Sequence, residues 1–238
     1  MVEKFKGRLR SKKPNSLIKK DEKNDLDDFF LTLALIYNDM KGLTSFQVIL
    51  NEHFEAPSSK IDPHNGEFGG LNIHIIRLFS GLVEEFLNFL YKNPTIESRD
   101  FLNLLNELPA DAKKIWENLI DIAHMKKVQN NPTNYALMMI RGNITYHYRD
   151  AGKNLRRGFI NRFHNKKRDK SLKNDAAYYS LENSLESTRF YYADAAAEEY
   201  MVSISDGWPE YMNDINAMVE TMNHALYWLM KIYLKPKI

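Results

Sequence analysis

From Leu26 onward, apolar residues return every three or four positions, the period of an α-helix with one buried face. Leu26, Phe29, Phe30, Leu33, Ile36 and Tyr37 form the first stripe, with Asp25, Asp27 and Asp28 in its first turn. Acids are favoured there by the helix dipole, and Gly42 is the expected stop. A shorter helix should carry Phe46, Ile49, Leu50 and Phe54, and residues 57–70, rich in Pro, Ser, Asn, Asp and Gly, read as a loop. The next stripe, over residues 70–91, contains Ile73, Ile76, Phe79, Leu82, Val83, Phe86, Leu87 and Leu90, and Asn93-Pro94 ends it. Ser98, with Asp100 and Phe101, opens a helix broken near Pro109. Residues 110–125 continue as a helix with Ile115, Leu119, Ile122 and Ala123 turned inward.

Asn130, Asn131 and Pro132 mark a turn, after which Thr133 or Asn134 can cap a helix running to about Gly152. Residues 154–168 are basic and partly helical, and residues 170–175 read as a loop. Residues 178–204 are expected to be helix-rich, with Tyr178, Tyr179, Phe190, Tyr191, Tyr192 and Tyr200 as core or interface. After Gly207-Trp208-Pro209 a last helix, residues 210–234, carries Met212, Ile215, Met218, Val219, Met222, Leu226, Leu229 and Ile232. The pattern predicts an all-α chain: a flexible basic arm over residues 1–22, then one domain over residues 23–238, an up-and-down type bundle of about six or seven helices.

Composition supports this. Of 238 residues 44% are hydrophobic, enough for a packed core, and 10 Gly and 8 Pro are too few for a turn-dense β fold. The absence of cysteine excludes disulfides and thiolate metal sites and suits a reducing cytoplasm, the expected location. The basic N-terminus lacks the apolar core of a secretory signal. Arg77, Glu84 and Glu85 interrupt the longest apolar segment, so an amphipathic helix is expected there and no membrane partner. No Walker-type loop, GxGxxG or GxSxG occurs. Asp121 with His124 and Glu220 with His224 have helical spacing, but the chain lacks the Glu-x-x-His pairs of a ferritin-like site, so no metal or cofactor is expected.

The net charge is only +2, but it is unevenly spread. Residues 1–20 contain Glu3 as their only acid. Residues 149–173 hold ten Lys and Arg against Asp150 and Asp169, whereas residues 182–220 hold nine acids and Arg189. The basic stretch, Arg149, Lys153, Arg156, Arg157, Arg162, Lys166, Lys167 and Arg168, is interleaved with Phe159, Phe163 and His164. Cations grip a phosphate backbone and aromatics can stack bases, so RNA is the candidate partner. A helix with buried Phe159 and Phe163 and solvated charges explains the same pattern.

Just before this stretch, Arg141 and His147 share one helix-like segment. Residues six apart lie about 120° around the axis and roughly 9 Å along it. Asn143 shares a face with His147, as does Asp150. An always-charged guanidinium near an imidazole titrating close to neutrality suits work at a phosphate ester. On the residues alone, Arg141 as a surface ion-pair partner and His147 as a half-buried imidazole is the simpler reading.

The run Ile140-Arg141-Gly142-Asn143-Ile144-Thr145-Tyr146-His147-Tyr148 resembles the Arg-x(4–6)-His signature of the HEPN superfamily. Arg141 matches its Arg, Ile144 its β-branched position, Tyr146 and Tyr148 its aromatics and His147 its His. The resemblance implies a HEPN-like helical fold and metal-independent RNA cleavage at a homodimer interface, in toxin or phage-defence biology with a possible antitoxin-type partner. His147 would act as acid or base at the ribose 2′-hydroxyl, Arg141 would hold the scissile phosphate, and Asn143 would help position the site. The chain departs from the pattern at Gly142, where the family commonly carries a polar residue, and at Arg149, where some members carry a modifiable Tyr. A non-catalytic RNA-binding or protein-interaction module on the same scaffold is the alternative. A mid-helix Gly142 also suggests either another backbone packed close to it, such as the partner subunit's, or a local bend.

Overall fold

The computed structural model describes residues 13–19, 23–53, 62–125, 136–137, 139–145, 151–164, 178–180, 188–205 and 208–237. These residues are all-α apart from one minimal ribbon. A single turn, α1 (Pro14–Leu17), lies within the expected arm. It is followed by α2 (Asp25–His53), α3 (Pro63–Lys92), a 3-10 turn (Pro94–Glu97), α4 (Arg99–Asn106) and α5 (Ala110–Met125). Residues 136–137 and 139–140 are helical and lead into a π-helical turn (Arg141–Thr145). Then come α6 (Ala151–Phe163), β1 (Tyr179–Ser180), β2 (Thr188–Arg189), α7 (Tyr191–Ile204), α8 (Trp208–Leu234) and a final 3-10 turn (Lys235–Lys237). Among the described residues no helix is long and apolar enough to cross a membrane.

Three expectations are corrected. Gly42 does not end the first helix. It has open space around it, and α2 runs on to His53 because Met40 and Leu50, on either side of it, are both buried. The residual cost of a mid-helix glycine is about 1 kcal/mol, less than either burial contributes. The expected loop at residues 57–70 is helical from Pro63 onward: the Asp62 side chain accepts from Asn65 N at 2.8 Å, and Pro63 occupies the first turn, where no N–H is needed. Its glycines serve a docking surface rather than a turn. A Cβ at Gly66 would enter the Tyr191 ring, and one at Gly70 the Arg189 guanidinium. Finally, residues 178–204 do not begin as helix. Tyr179 pairs with Arg189 and Ser180 with Thr188 in an antiparallel ribbon, and α7 starts only at Tyr191.

α3 is the hub, touching α2, α5, α7, α8 and the π-helical turn. Ile73, Ile76, Phe79, Val83, Phe86, Leu87 and Leu90 are buried as expected. On α5 the buried stripe is Ala112, Trp116, Leu119 and Ala123, whereas Ile115 and Ile122 are only partly covered. Trp116 shifts the stripe: its indole lies edge-on to Phe86 and Phe101, at 6.2 and 6.1 Å, and Nε1 donates to Ala225 O on α8 at 2.8 Å. A buried indole N–H requires such an acceptor. Ser98 caps α4, accepting from Phe101 N at 3.2 Å, as its position suggests.

α6 and α7 form a closely packed pair against α3 and the π-helical turn. Gly158 makes that approach possible, because any Cβ there would collide with the Ala196 carbonyl oxygen. Small Ala196 and Ala197 complete the contact. At the far end of the bundle Phe30 and Tyr233 stack at 3.8 Å, interplanar angle 2°. Tyr233 Oη donates to Asp27 Oδ1 at 2.7 Å, and Lys237 Nζ donates to the same oxygen at 2.5 Å and to Leu17 O at 2.6 Å. The C-terminal turn thereby ties α1 to α2.

Candidate functional site

Arg141 opens the π-helical turn, whose i→i+5 bonding displaces the chain from the regular helical path. The turn is pinned to α3 by Thr145. Its buried hydroxyl lies 3.2 Å from Arg77 O and 3.1 Å from Ile140 O, so one proton is shared between two carbonyls. The fit is local: an ordinary α-helix would place Thr145 over Arg141, whereas here its hydroxyl reaches the carbonyl five residues back. With Ile140 and Thr145 inward, Arg141 is carried to the flank of α3.

There the Arg141 guanidinium pairs with Glu85 through Nη2 and Oε1. The pair is half-buried, with side-chain exposures of 34% for Arg141 and 49% for Glu85, so solvent screens it and both groups stay reachable. Arg141 Nε is buried without a hydrogen-bond partner among the described residues. Glu85 also stands at the rim of an open cleft of about 340 Å³ along the end of α3, lined by Asn88, Phe89, Lys92, Asn93 and Pro94. An exposed cation, a carboxylate and an adjoining cleft can hold and exchange an anionic ligand, because an incoming phosphate competes with Glu85 for the same guanidinium.

Of the expected site residues, the structure places Arg141 in this setting. His147 and Asp150 lie outside the described residues, as do Arg149, Lys166, Lys167 and Arg168, and the Asn143 side chain is likewise not described. Lys153, Arg156 and Arg157 are exposed on α6. Arg162 is not part of that face: it turns to the opposite side of α6, and its Nε is buried without a hydrogen-bond partner among the described residues. Of the two readings of Gly142, no neighbouring backbone appears among the described residues, where nothing comes within 4 Å of a Cβ placed there, whereas the residue does lie in a local departure from the regular helix, the π-helical turn. Glu85 had no signal in the sequence beyond interrupting an apolar run, and Thr145 resembled any β-branched helix residue.

A second polar cluster lies where the ribbon meets α3. Arg189 donates to Asp194 at 2.9 Å and Glu67 at 3.1 Å. Burial pulls its guanidinium toward neutrality, but Asp194 and Glu67 outweigh this and raise its pKa. Nearby, partial burial lowers the His74 pKa, reinforced by Arg77 and Arg189. Within this cluster Arg189 is spent on two carboxylates. His124 Nδ1 is spent on Ile120 O at 2.8 Å, and His224 Nε2 lies 3.4 Å from Asp111 Oδ2. Among the described residues no three His, Asp or Glu side chains converge as a metal-ligand set.

No model of a known protein family, no curated protein and no solved structure matches this chain.

Proposed function

We propose that this chain is a HEPN-like, metal-independent endoribonuclease working in the cytoplasm as a homodimer. Arg141 binds the scissile phosphate and stabilises the charge that builds on it, and His147 takes the proton from the ribose 2′-hydroxyl as that oxygen attacks phosphorus; the bond to the 5′-oxygen breaks, a 2′,3′-cyclic phosphate forms, and the departing 5′-oxygen takes a proton from water. Asn143 orients the imidazole. The observation that carries the proposal is the placement of Arg141: presented on a π-helical turn, partly exposed, and, among the described residues, paired with the screened Glu85 carboxylate that a phosphate can displace. Leu31 and Leu35, 59% and 61% exposed on α2, are apolar surface that a second copy would cover. A toxin-type nuclease of this kind would be held in check by an antitoxin-type protein.

The test is incubation of the protein and its His147→Ala and Arg141→Ala variants with RNA in EDTA. Cleavage by the parent that is lost in both variants is expected, and equal cleavage by all three, or none by any, overturns the proposal.

One observation favours the alternative, a non-catalytic RNA-binding or protein-interaction module on the same scaffold. Glu85 already neutralises Arg141, and Gly142 stands where the family carries a polar group. RNA binding that survives His147→Ala, without cleavage by the parent, selects this alternative.

A further inference from the structure

Away from Arg141, five aromatic rings run across the surface from the ribbon to α6. Tyr178 and Phe190 stand beside the Tyr179–Arg189 pair, stacked at 6.1 Å with an interplanar angle of 25°. Phe190 meets Tyr192 edge-on at 6.0 Å, Tyr192 meets Phe159 at 6.3 Å, and Phe159 packs on Phe163 at 4.7 Å. A core would bury such rings, yet Tyr178 is 64% exposed, Phe190 51% and Tyr192 36%. A contiguous exposed apolar surface on a folded chain marks a place of contact.

Alongside these rings runs a row of cations. With Gly158 turned toward α7, helical geometry puts Lys153, Arg156, Arg157, Ile160 and His164 on the outer face of α6, and all five are exposed. Arg156 lies one turn before Phe159 and Ile160, next to the aromatic row. Lys153, Arg156 and Arg157 make no ion pair among the described residues, unlike Arg189. Exposed cations beside exposed flat rings are the pairing that holds an unpaired nucleic-acid strand, phosphates on the cations and bases on the rings. A duplex hides its base faces from such rings, and an acidic peptide would use the cations but not the stack.

We infer that the Tyr178, Phe190 and Tyr192 rings and the Lys153, Arg156 and Arg157 face of α6 form a platform for single-stranded RNA, distinct from the Arg141 turn. The identity of the polyanion rests on the function proposed above.

The test uses the full chain in the His147→Ala background, so that binding is read without cleavage, with a fluorescent oligouridine, the same strand in a duplex, and polyglutamate as probes. The single strand binds most tightly. Tyr178→Ala with Phe190→Ala weakens it by about tenfold, since stacking contributes roughly that factor or more per base, and leaves the salt dependence unchanged. Arg156→Gln with Arg157→Gln weakens it and flattens the salt dependence. Circular dichroism checks that each variant is folded; a Tyr178→Trp, Phe190→Trp protein keeps the stack and restores binding if the first pair proves unstable. Undiminished binding by the aromatic variants, tighter binding of duplex or polyglutamate, or no binding of any probe overturns the platform. Failure of the nuclease proposal shows separately, as absent cleavage by the parent while the platform variants still lose strand binding.

Discussion

Gly158 lies directly under the Ala196 carbonyl oxygen, so the contact between α6 and α7 is a contact of backbones. Glycine is usually the weakest choice inside a helix, by about 1 kcal/mol relative to alanine. Here its missing side chain sets the distance at which the cationic face of α6 is held against the rest of the fold. Gly158→Ala should therefore destabilise by about 1–3 kcal/mol, the cost of overpacking, despite alanine's better propensity. Gly42→Ala, in the open middle of α2, should stabilise by up to about 1 kcal/mol. Thermal melts of the two variants moving in opposite directions check the pair, and a Gly158→Ala protein as stable as the parent would remove the backbone-contact account.

The Arg141–Glu85 pair separates stability from function. Both side chains are substantially exposed, so Glu85→Gln should change stability by less than about 1 kcal/mol. On the nuclease function proposed above, Arg141 freed of its carboxylate should bind RNA more tightly, and cleavage at sub-saturating substrate should rise. Arg141→Lys should not restore the activity lost in Arg141→Ala, because an ammonium lacks the planar fork that grips two phosphate oxygens. Titrations of labelled RNA with each variant measure this.

Asp27 makes the C-terminal tie pH-dependent. Burial alone would raise its pKa, but the hydrogen bonds from Lys237 and Tyr233 prevail and lower it. The unfolded chain then takes up the Asp27 proton before the folded chain does, so the contribution is complete above the ordinary carboxylate value of about 4 and is lost as pH falls below it. Asp27→Asn should cost about 2 kcal/mol at neutral pH, the scale of hydrogen bonds to a charged group, and should flatten the stability profile between about pH 5 and pH 2. Urea unfolding across that range reads both effects.

Trp116→Phe tests the indole anchor on α5. It leaves the Ala225 carbonyl in its own helix while removing the Nε1 hydrogen bond and part of the ring volume. The expected cost is about 2–4 kcal/mol, measured by chemical denaturation, whereas Ile115→Val on the partly covered side of the same helix should cost under about 1 kcal/mol.

The hydrophobic period made most of the helices legible, because an amphipathic stripe needs only local spacing: the existence of α3, α5 and α8 follows from it, although Trp116 shifts the buried stripe of α5, and Asn93-Pro94 and Ser98 marked boundaries. The errors came where a residue's local preference was overruled from a distance. Gly42 could continue a helix because the core on both sides of it holds α2 together, and Gly66 and Gly70 mark close packing rather than a turn, because Tyr191 and Arg189, more than a hundred positions away, occupy the space their side chains would fill. The same limit applies to the candidate site. Arg141 could be singled out from the residues beside it, since a lone guanidinium in an apolar run is visible in one dimension. That Glu85 would meet it, that Thr145 would pin a π-helical turn to α3, and that Tyr178, Phe190 and Tyr192 would stand outside the core rather than in it were decided by packing between distant segments, which no local period encodes.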